Sequence, residues 1–312
     1  MMLSAAVWNV LPIRKAIMFT TGYDYNPAGV LTKITMPDGR TIDYIPDSLG
    51  RVSQVTTTKG GVTAVLASNI SYMPFGPLKG LTYGSGMVLG HGFDALYQLS
   101  GQDVGQVQNL TYTPDHMGNI KEIADNLDAG RSQSFTYDDL YRLKTASGIY
   151  GNISYTYDNV GNRKTKTVNS QIDTYAYKTG TNLLTEITGA NPKKFTYDAA
   201  GNVVADNIVL PGTGQLAGYT YNGFGQRIKK TAGGATTIYH YDLSGNLIGE
   251  SDGAGNFTAV YVYMGNMRLA AIIKVGSAEK IFYYINDQLG TPQKMVDDTG
   301  AVVWAADYMP FG

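Results

Sequence analysis

Over much of the chain, aromatic and polar positions alternate with a period of two, and at regular intervals an Asp or Asn followed by Gly interrupts the alternation. Five segments superpose: Phe135-Thr136-Tyr137-Asp138, Tyr155-Thr156-Tyr157-Asp158, Phe195-Thr196-Tyr197-Asp198, Tyr219-Thr220-Tyr221-Asn222 and Tyr239-His240-Tyr241-Asp242. Four of them continue with two variable residues, Gly and a polar residue: Gly161-Asn162, Gly201-Asn202, Gly225-Gln226 and Gly245-Asn246. The fifth has Tyr141-Arg142 there. Looser copies begin at Tyr23, Tyr44, Phe93 and Tyr112, with Pro46 and Pro114 in the second aromatic slot, and Tyr175-Ala176-Tyr177-Lys178 reads as a decayed copy. The Asp slots fall at 26, 47, 94, 115, 138, 158, 178, 198, 222 and 242, so that the steps from 94 onward are 21, 23, 20, 20, 20, 24 and 20 residues. The wider gap from 47 to 94 contains Tyr72-Met73-Pro74-Phe75-Gly76.

A period near 21 residues is too short for paired-helix repeats and suits two short strands with two turns. Aromatic-polar-Tyr predicts a strand with both aromatics on one face. The Asp or Asn ends it, because its side chain can accept hydrogen bonds from backbone amides two residues on. Gly three residues later supplies a left-handed position, and the polar residue after it opens the return strand. Returns such as Arg163-Lys164-Thr165-Lys166-Thr167-Val168 and Arg227-Ile228-Lys229-Lys230-Thr231 predict strands with at least one wet face. A unit this short cannot bury its aromatic face alone, so its stability has to come from stacked neighbours. Tyr therefore reads as packing and Asp as a turn cap.

Composition agrees with this pattern. Gly (38) and Tyr (24, against 9 Phe) are abundant and charged residues make up only 16%, which disfavours a charged disordered chain or a coiled coil. A net charge of −1 lacks the basic footprint of a nucleic-acid binder. Without Cys there is no disulfide scaffold, thiolate zinc site or Cys nucleophile. No segment approaches the roughly 18 consecutive apolar residues of a membrane-spanning helix. Arg14 and Lys15 follow the apolar start instead of preceding it, the reverse of a signal peptide.

Tyr-Asp, two residues and Gly-Asn, recurring in this way, resemble the YD repeat of RHS proteins. The stretch Tyr284-Ile285-Asn286-Asp287-Gln288-Leu289-Gly290-Thr291-Pro292-Gln293, then Asp298-Thr299-Gly300-Ala301-Val302-Val303-Trp304 and Tyr308-Met309-Pro310-Phe311-Gly312, is similar to the start of the RHS-associated core. The resemblance implies an all-β hairpin strip that curls as part of a hollow shell with few or no helices, as in the C components of insecticidal toxin complexes and the teneurins. It divides the chain into an irregular segment 1–22, YD-type repeats over 23–282 and a truncated core over 283–312. In bacterial members a variable toxin follows the core, is held inside the shell, and is often released by aspartyl self-cleavage at an Asp-Pro-x-Gly type motif. No Asp-Pro dipeptide occurs here, so no protease residue carries over. The expected role is that of a non-enzymatic section of shell, secreted or at the cell surface and cytoplasmic before export. Its expected partners are a C-terminal toxin cargo and secretion or delivery machinery, with no nucleic acid and no membrane insertion by this segment. An extracellular module that binds carbohydrate or a cell surface is the alternative.

Individual residues add no catalytic, cofactor-binding or metal-binding assignment. His91, His116 and His240 have no second ligand at metal spacing. Asp138-Asp139 and Asp297-Asp298 sit at turns, where consecutive side chains diverge and do not form an acid/base pair. Gly212-Thr213-Gly214 lacks the spacing and the following helix of a dinucleotide loop. The sequons at Asn69, Asn109, Asn152 and Asn256 fit the chance expectation for an Asn- and Thr-rich chain.

Overall fold

A computed structural model describes residues 18–74, 76–208 and 217–310. The start 1–17, Phe75, Gly212-Thr213-Gly214 and Phe311-Gly312 lie outside the described residues. Among the described residues, 27 strands, numbered in chain order from β1 (Gly22–Tyr25) to β27 (Val302–Ala305), form one sheet. Each strand pairs antiparallel with the strands before and after it in sequence. The only helical element among these residues is a 3-10 turn, Ala129–Arg131. The fold is therefore the all-β hairpin strip that the repeat pattern predicts.

Two kinds of turn alternate along much of the strip. At one end of the strands lies the Asp-x-x-Gly turn. At the other lie two-residue hairpins such as Gly60-Gly61 between Lys59 and Val62, and Gly233-Gly234 between Ala232 and Ala235. Asn169 and Ser170 fill one such hairpin with φ of 46° and 75°, the mirror-image geometry that suits a twisted ladder.

Beside each Asp turn the register slips by one residue. Thr156 faces Thr165 but Tyr157 faces Arg163, so Lys164 is the extra residue of a β-bulge. The same slip recurs at Tyr137, Tyr177, Tyr197, Tyr221 and Tyr241. A bulge bends its strand and increases the local twist. Repeated at the same place in successive hairpins, it curls the strip.

The two faces differ as the alternation requires. In β13 (Gly151–Tyr157), Ile153 and Tyr155 are buried while Ser154 and Thr156 are exposed. The exposed face carries cross-strand threonine pairs, Thr156 with Thr165 and Thr136 with Thr145, at Oγ1–Oγ1 distances of 2.6 and 2.5 Å. The other face packs inward. A small cluster of Ala146, Ile153 and Tyr155 lies in the middle of the strip. The main core joins its two ends: Ile42, Val55, Leu66 and Leu81 from early strands pack with Val262, Leu269, Ile285 and Val296 from late ones.

Candidate functional site

The repeated turn comes first, because it positions everything else. At Asp158 the backbone N–H bonds to the Asn162 carbonyl (2.8 Å), and the Gly161 N–H bonds to the Asp158 carbonyl (3.2 Å). The Asp158 carboxylate accepts from the amides of Val160 and Asn162 (3.0 and 2.8 Å) and from Asn162 Nδ2 (3.0 Å). Where the fourth residue is Arg, as at Arg142, the guanidinium binds the same carboxylate oxygen of Asp138. These bonds favour the ionised acid. At Asp115, Asp198 and Asp252 the Asn side-chain amide, together with backbone amides, holds the carboxyl below its ordinary value. Asp138 and Asp297 from the two carboxylate pairs are such caps. Gly161 has φ of 92°, while Tyr141 fills the equivalent left-handed position at φ 58°.

Beneath the turns runs a ladder of tyrosine hydroxyls. Tyr137, Tyr157, Tyr177, Tyr197 and Tyr241 donate to the carbonyls of Ile120, Leu143, Arg163, Leu184 and Arg227, at 2.6–3.0 Å. Each of these carbonyls belongs to the first residue of the preceding return strand, where the bulge opens the ladder. The second Tyr of a unit thus closes a hydrogen-bonding gap left by its neighbour. Arginines stack on tyrosines of both aromatic positions: Arg142 lies 4.7 Å over the ladder residue Tyr157, while Arg163 lies 4.4 Å over Tyr175 and Arg227 about midway between Tyr219 (5.1 Å) and Tyr239 (5.0 Å), the first aromatics of their units. A Tyr157→Phe substitution is expected to cost about 1 kcal/mol in urea unfolding and Tyr157→Phe/Tyr177→Phe about twice that, since each leaves one carbonyl without its donor. An unchanged midpoint in the double variant would contradict a structural role for the ladder.

The ends of the strip are locked together at a seam. Tyr44 Oη donates to the Tyr263 carbonyl (2.8 Å) and Tyr83 Oη to the Tyr284 carbonyl (3.1 Å). Lys59 bridges Asp38 and Glu279 (3.0 and 2.7 Å), and the buried Arg40 also pairs with Glu279. His240 lies at the same seam. It is buried, stacked on Phe257 at 4.7 Å, met edge-on by Phe19 at 4.3 Å, and hydrogen-bonded through Nε2 to Ser251 Oγ at 2.8 Å.

Burial pushes the His240 imidazole down from 6.5 to about 4. Between these values the unfolded chain takes up a proton that the fold refuses, so stability falls as pH drops through that window, by up to about 1.4 kcal/mol per pH unit. The Asp caps add to this slope only at the lower end of the window, because their contribution is complete well above the ordinary carboxylate value and is lost as pH falls through it. Urea titrations between pH 7 and 4 are expected to show this slope in the wild type and a flatter one in His240→Gln. Equal slopes would refute the assignment.

Around the core-like motif, the Asp287 carboxylate accepts from the amides of Leu289 and Thr291 (both 2.9 Å) and from Gln293 Nε2 (3.0 Å). This turn separates two clefts. One, of about 560 Å³, lies between the aromatic face from β9 (Gln108–Pro114) to β13 and the segment Ala306–Pro310, which is tied down by an Arg131–Asp307 ion pair. The other, of about 700 Å³, lies between strands β4 (Val52–Lys59) to β8 (Leu99–Val104) and the Met264–Met267 turn. On its floor His91 contacts the Leu78 carbonyl (3.0 Å) and Gln102 Oε1 (3.2 Å), and Gln102 Nε2 donates to Gln108 Oε1 and to the Asn286 carbonyl. The three histidines are not brought together, and among the described residues no group of three His, Cys, Asp or Glu is placed to hold a metal. The buried Gln102, Asn286 and Arg40 carry no periodic signal, because their contacts at or near the seam are particular to each and do not serve the repeat.

Comparison with known proteins agrees with this geometry. The family model described as RHS Repeat matches residues 20–62, and the one described as RHS protein matches residues 281–312. The tRNA3(Ser)-specific nuclease WapA of Bacillus spizizenii is 28% identical over 176 residues, covering 51% of this chain and 7% of the relative. The tRNA nuclease WapA of Bacillus subtilis is 29% identical over the same length and shares. The fold is similar to that of a chain in the Photorhabdus luminescens Tc holotoxin pore and in the TcdB2-TccC3-Cdc42 crystal structure. In both the TM-score is 0.74 at 16% identity, over 94% of this chain and 18% of that one. TcdB2-TccC3 without its hypervariable C-terminal region matches with a TM-score of 0.73. The chain thus spans 7% of the length of the nuclease relatives and 18% of the solved chains.

Proposed function

We propose that this RHS-repeat chain is a non-enzymatic section of the wall of a secreted or surface-displayed toxin shell, whose partner is a polypeptide cargo carried C-terminal to it. The observation that carries this reading is the curled, continuous ladder whose ends are locked at the seam. Strands inside such a ladder have both edges occupied, so an unfolded cargo chain meets side chains and finds no interior edge on which to add as a strand. Enclosure then needs no chemistry from the wall, only a surface that neither opens nor exchanges strands.

The tyrosine hydroxyls support the wall reading over a carbohydrate-binding face. The row a sugar would need is already engaged by backbone carbonyls at Tyr137, Tyr157, Tyr177, Tyr197 and Tyr241. The test is limited proteolysis of an RHS protein that carries this strip ahead of a C-terminal domain. The C-terminal segment is expected to resist cleavage while the wall is intact and to become sensitive once the seam is loosened. Cleavage of the enclosed segment as fast as of the isolated segment would end this reading.

A further inference from the structure

The 700 Å³ cleft holds more order than a wall requires. Its sides are apolar, built from Val52, Leu78, Leu89, Phe93, Leu99 and Met267. Its polar groups are almost all engaged. At the rim Arg51 is paired with Asp47 (2.8 Å), and the Asp287 carboxylate is filled by its own turn. Both ring nitrogens of His91 lie within hydrogen-bond distance of acceptor oxygens, to one of which a neutral imidazole donates, and Gln102 Nε2 has two acceptors.

Two buried acceptors of residues in its lining, Gln288 Oε1 and Asn286 Oδ1, have no donor. Asn286 is 6% exposed, and its orientation is set by Nδ2 donating to the Arg268 carbonyl at 2.8 Å. That leaves Oδ1 buried with no donor against it. A buried acceptor without a donor costs about 1–3 kcal/mol, and what would satisfy it is a neutral N–H. With the charges at the rim paired, the cleft selects an uncharged, apolar group that carries such a donor.

We propose that this cleft binds an extended polypeptide segment, with a leucine-like side chain between Leu89, Leu99 and Met267 and the adjacent backbone N–H donating to Asn286 Oδ1. Met264 and Met267 form the adaptable wall. Their unbranched thioether side chains shift without breaking a hydrogen bond, and this opens the path to the acceptor. The proposal stands apart from the enclosure reading, since any extended chain presents the same pair of groups.

The test uses the intact chain with methyl-labelled methionine and two peptides, acetyl-Ala-Leu-Ala-amide and the same peptide N-methylated at leucine. The Met264 and Met267 methyl signals are expected to shift saturably with the first peptide, and about tenfold more of the second is expected to be needed. A Leu89→Trp variant, which fills the cleft, is expected to abolish both responses. Absence of a saturable shift at these two methyls in the wild type would overturn the proposal. So would equal affinity for the two peptides, which would remove the hydrogen bond to Asn286 from the account. Both outcomes are read on the wild-type protein and do not depend on the folding of the variant.

Discussion

Replacement of Gly84 by alanine is expected to destabilise the fold by about 3 kcal/mol, at the upper end of overpacking penalties. A Cβ there would stand 2.1 Å from the Val65 carbonyl oxygen and 2.3 Å from Tyr283 Oη. The first is backbone in β5 (Val62–Tyr72). The second belongs to a buried ring in β25 (Ala278–Asn286), on the far side of the seam. Neither is the free end of a flexible side chain, so the added methyl has to separate the two ends of the strip. Two nearby glycines calibrate the measurement. Gly86→Ala meets no atom within 4 Å but forces a side chain to φ of 86°, which is expected to cost about 1–2 kcal/mol. Gly90→Ala has open space and an ordinary backbone, and is expected to be near neutral. Urea unfolding should rank them in that order. A Gly84→Ala midpoint equal to that of Gly90→Ala would mean that the close approach of β5 and β25 contributes nothing.

Ile285→Ala is expected to cost about 3 kcal/mol, because the side chain is fully buried between strands from both ends and its removal leaves a cavity. The more telling readout is where the loosening spreads. Amide exchange should accelerate in β3 (Thr41–Pro46) and β4 as well as in β24 (Met267–Val275) to β26 (Pro292–Val296), although the two regions are far apart in sequence. Ile153→Ala removes a comparable side chain from the mid-strip cluster and should affect only β12 (Leu143–Gly148) to β14 (Arg163–Val168). Exchange confined to β25 and its immediate neighbours in Ile285→Ala would show that the seam is not a cooperative unit.

The hairpins were legible in the sequence because each is specified locally. Aromatic alternation sets the strand, Asp binds the amides two and four residues on, and Gly takes the left-handed position. The reading went furthest where all three signals coincide, as at Tyr157-Asp158 with Gly161. The signal is absent at Met36 and Tyr83, where the first position has no side-chain acceptor to announce the turn, and at Met73 only the segment Tyr72-Met73-Pro74-Phe75-Gly76 within the wider gap marks it. The Met36, Met73 and Tyr83 turns close with the same backbone hydrogen bonds as the Asp turns. The Lys178 turn survives in altered form, bonding to Leu183 one residue later.

What the repeat could not show is which units meet. The partners of Tyr44, Arg40 and Gln102 lie near the other end of the chain, and nothing in their local pattern points there. His240 illustrates the difference. It occupies the polar slot that holds exposed Thr136 and Thr156 in other units, yet at the seam that slot is covered by Phe19 and Phe257. The Tyr hydroxyl ladder was invisible for a different reason. Its acceptors are backbone carbonyls opened by a bulge, and a bulge has no residue type of its own.

The seam also works as a counter. Three of its contacts, Tyr23 with Leu243, Tyr44 with Tyr263 and Lys59 with Glu279, join residues 220, 219 and 220 positions apart. Within the ladder each strand needs only its sequence neighbours, so a unit added or deleted between β10 (Ile120–Asp125) and β20 (Arg227–Ala232) would leave every other hairpin satisfied. The seam would not accept the change, because Tyr44 would then face a residue one unit away from Tyr263. The circumference of the curl is therefore set by pairings across the seam that the repeat does not specify, even where, as at Tyr23 and Tyr44, the residue that makes them occupies a repeat position.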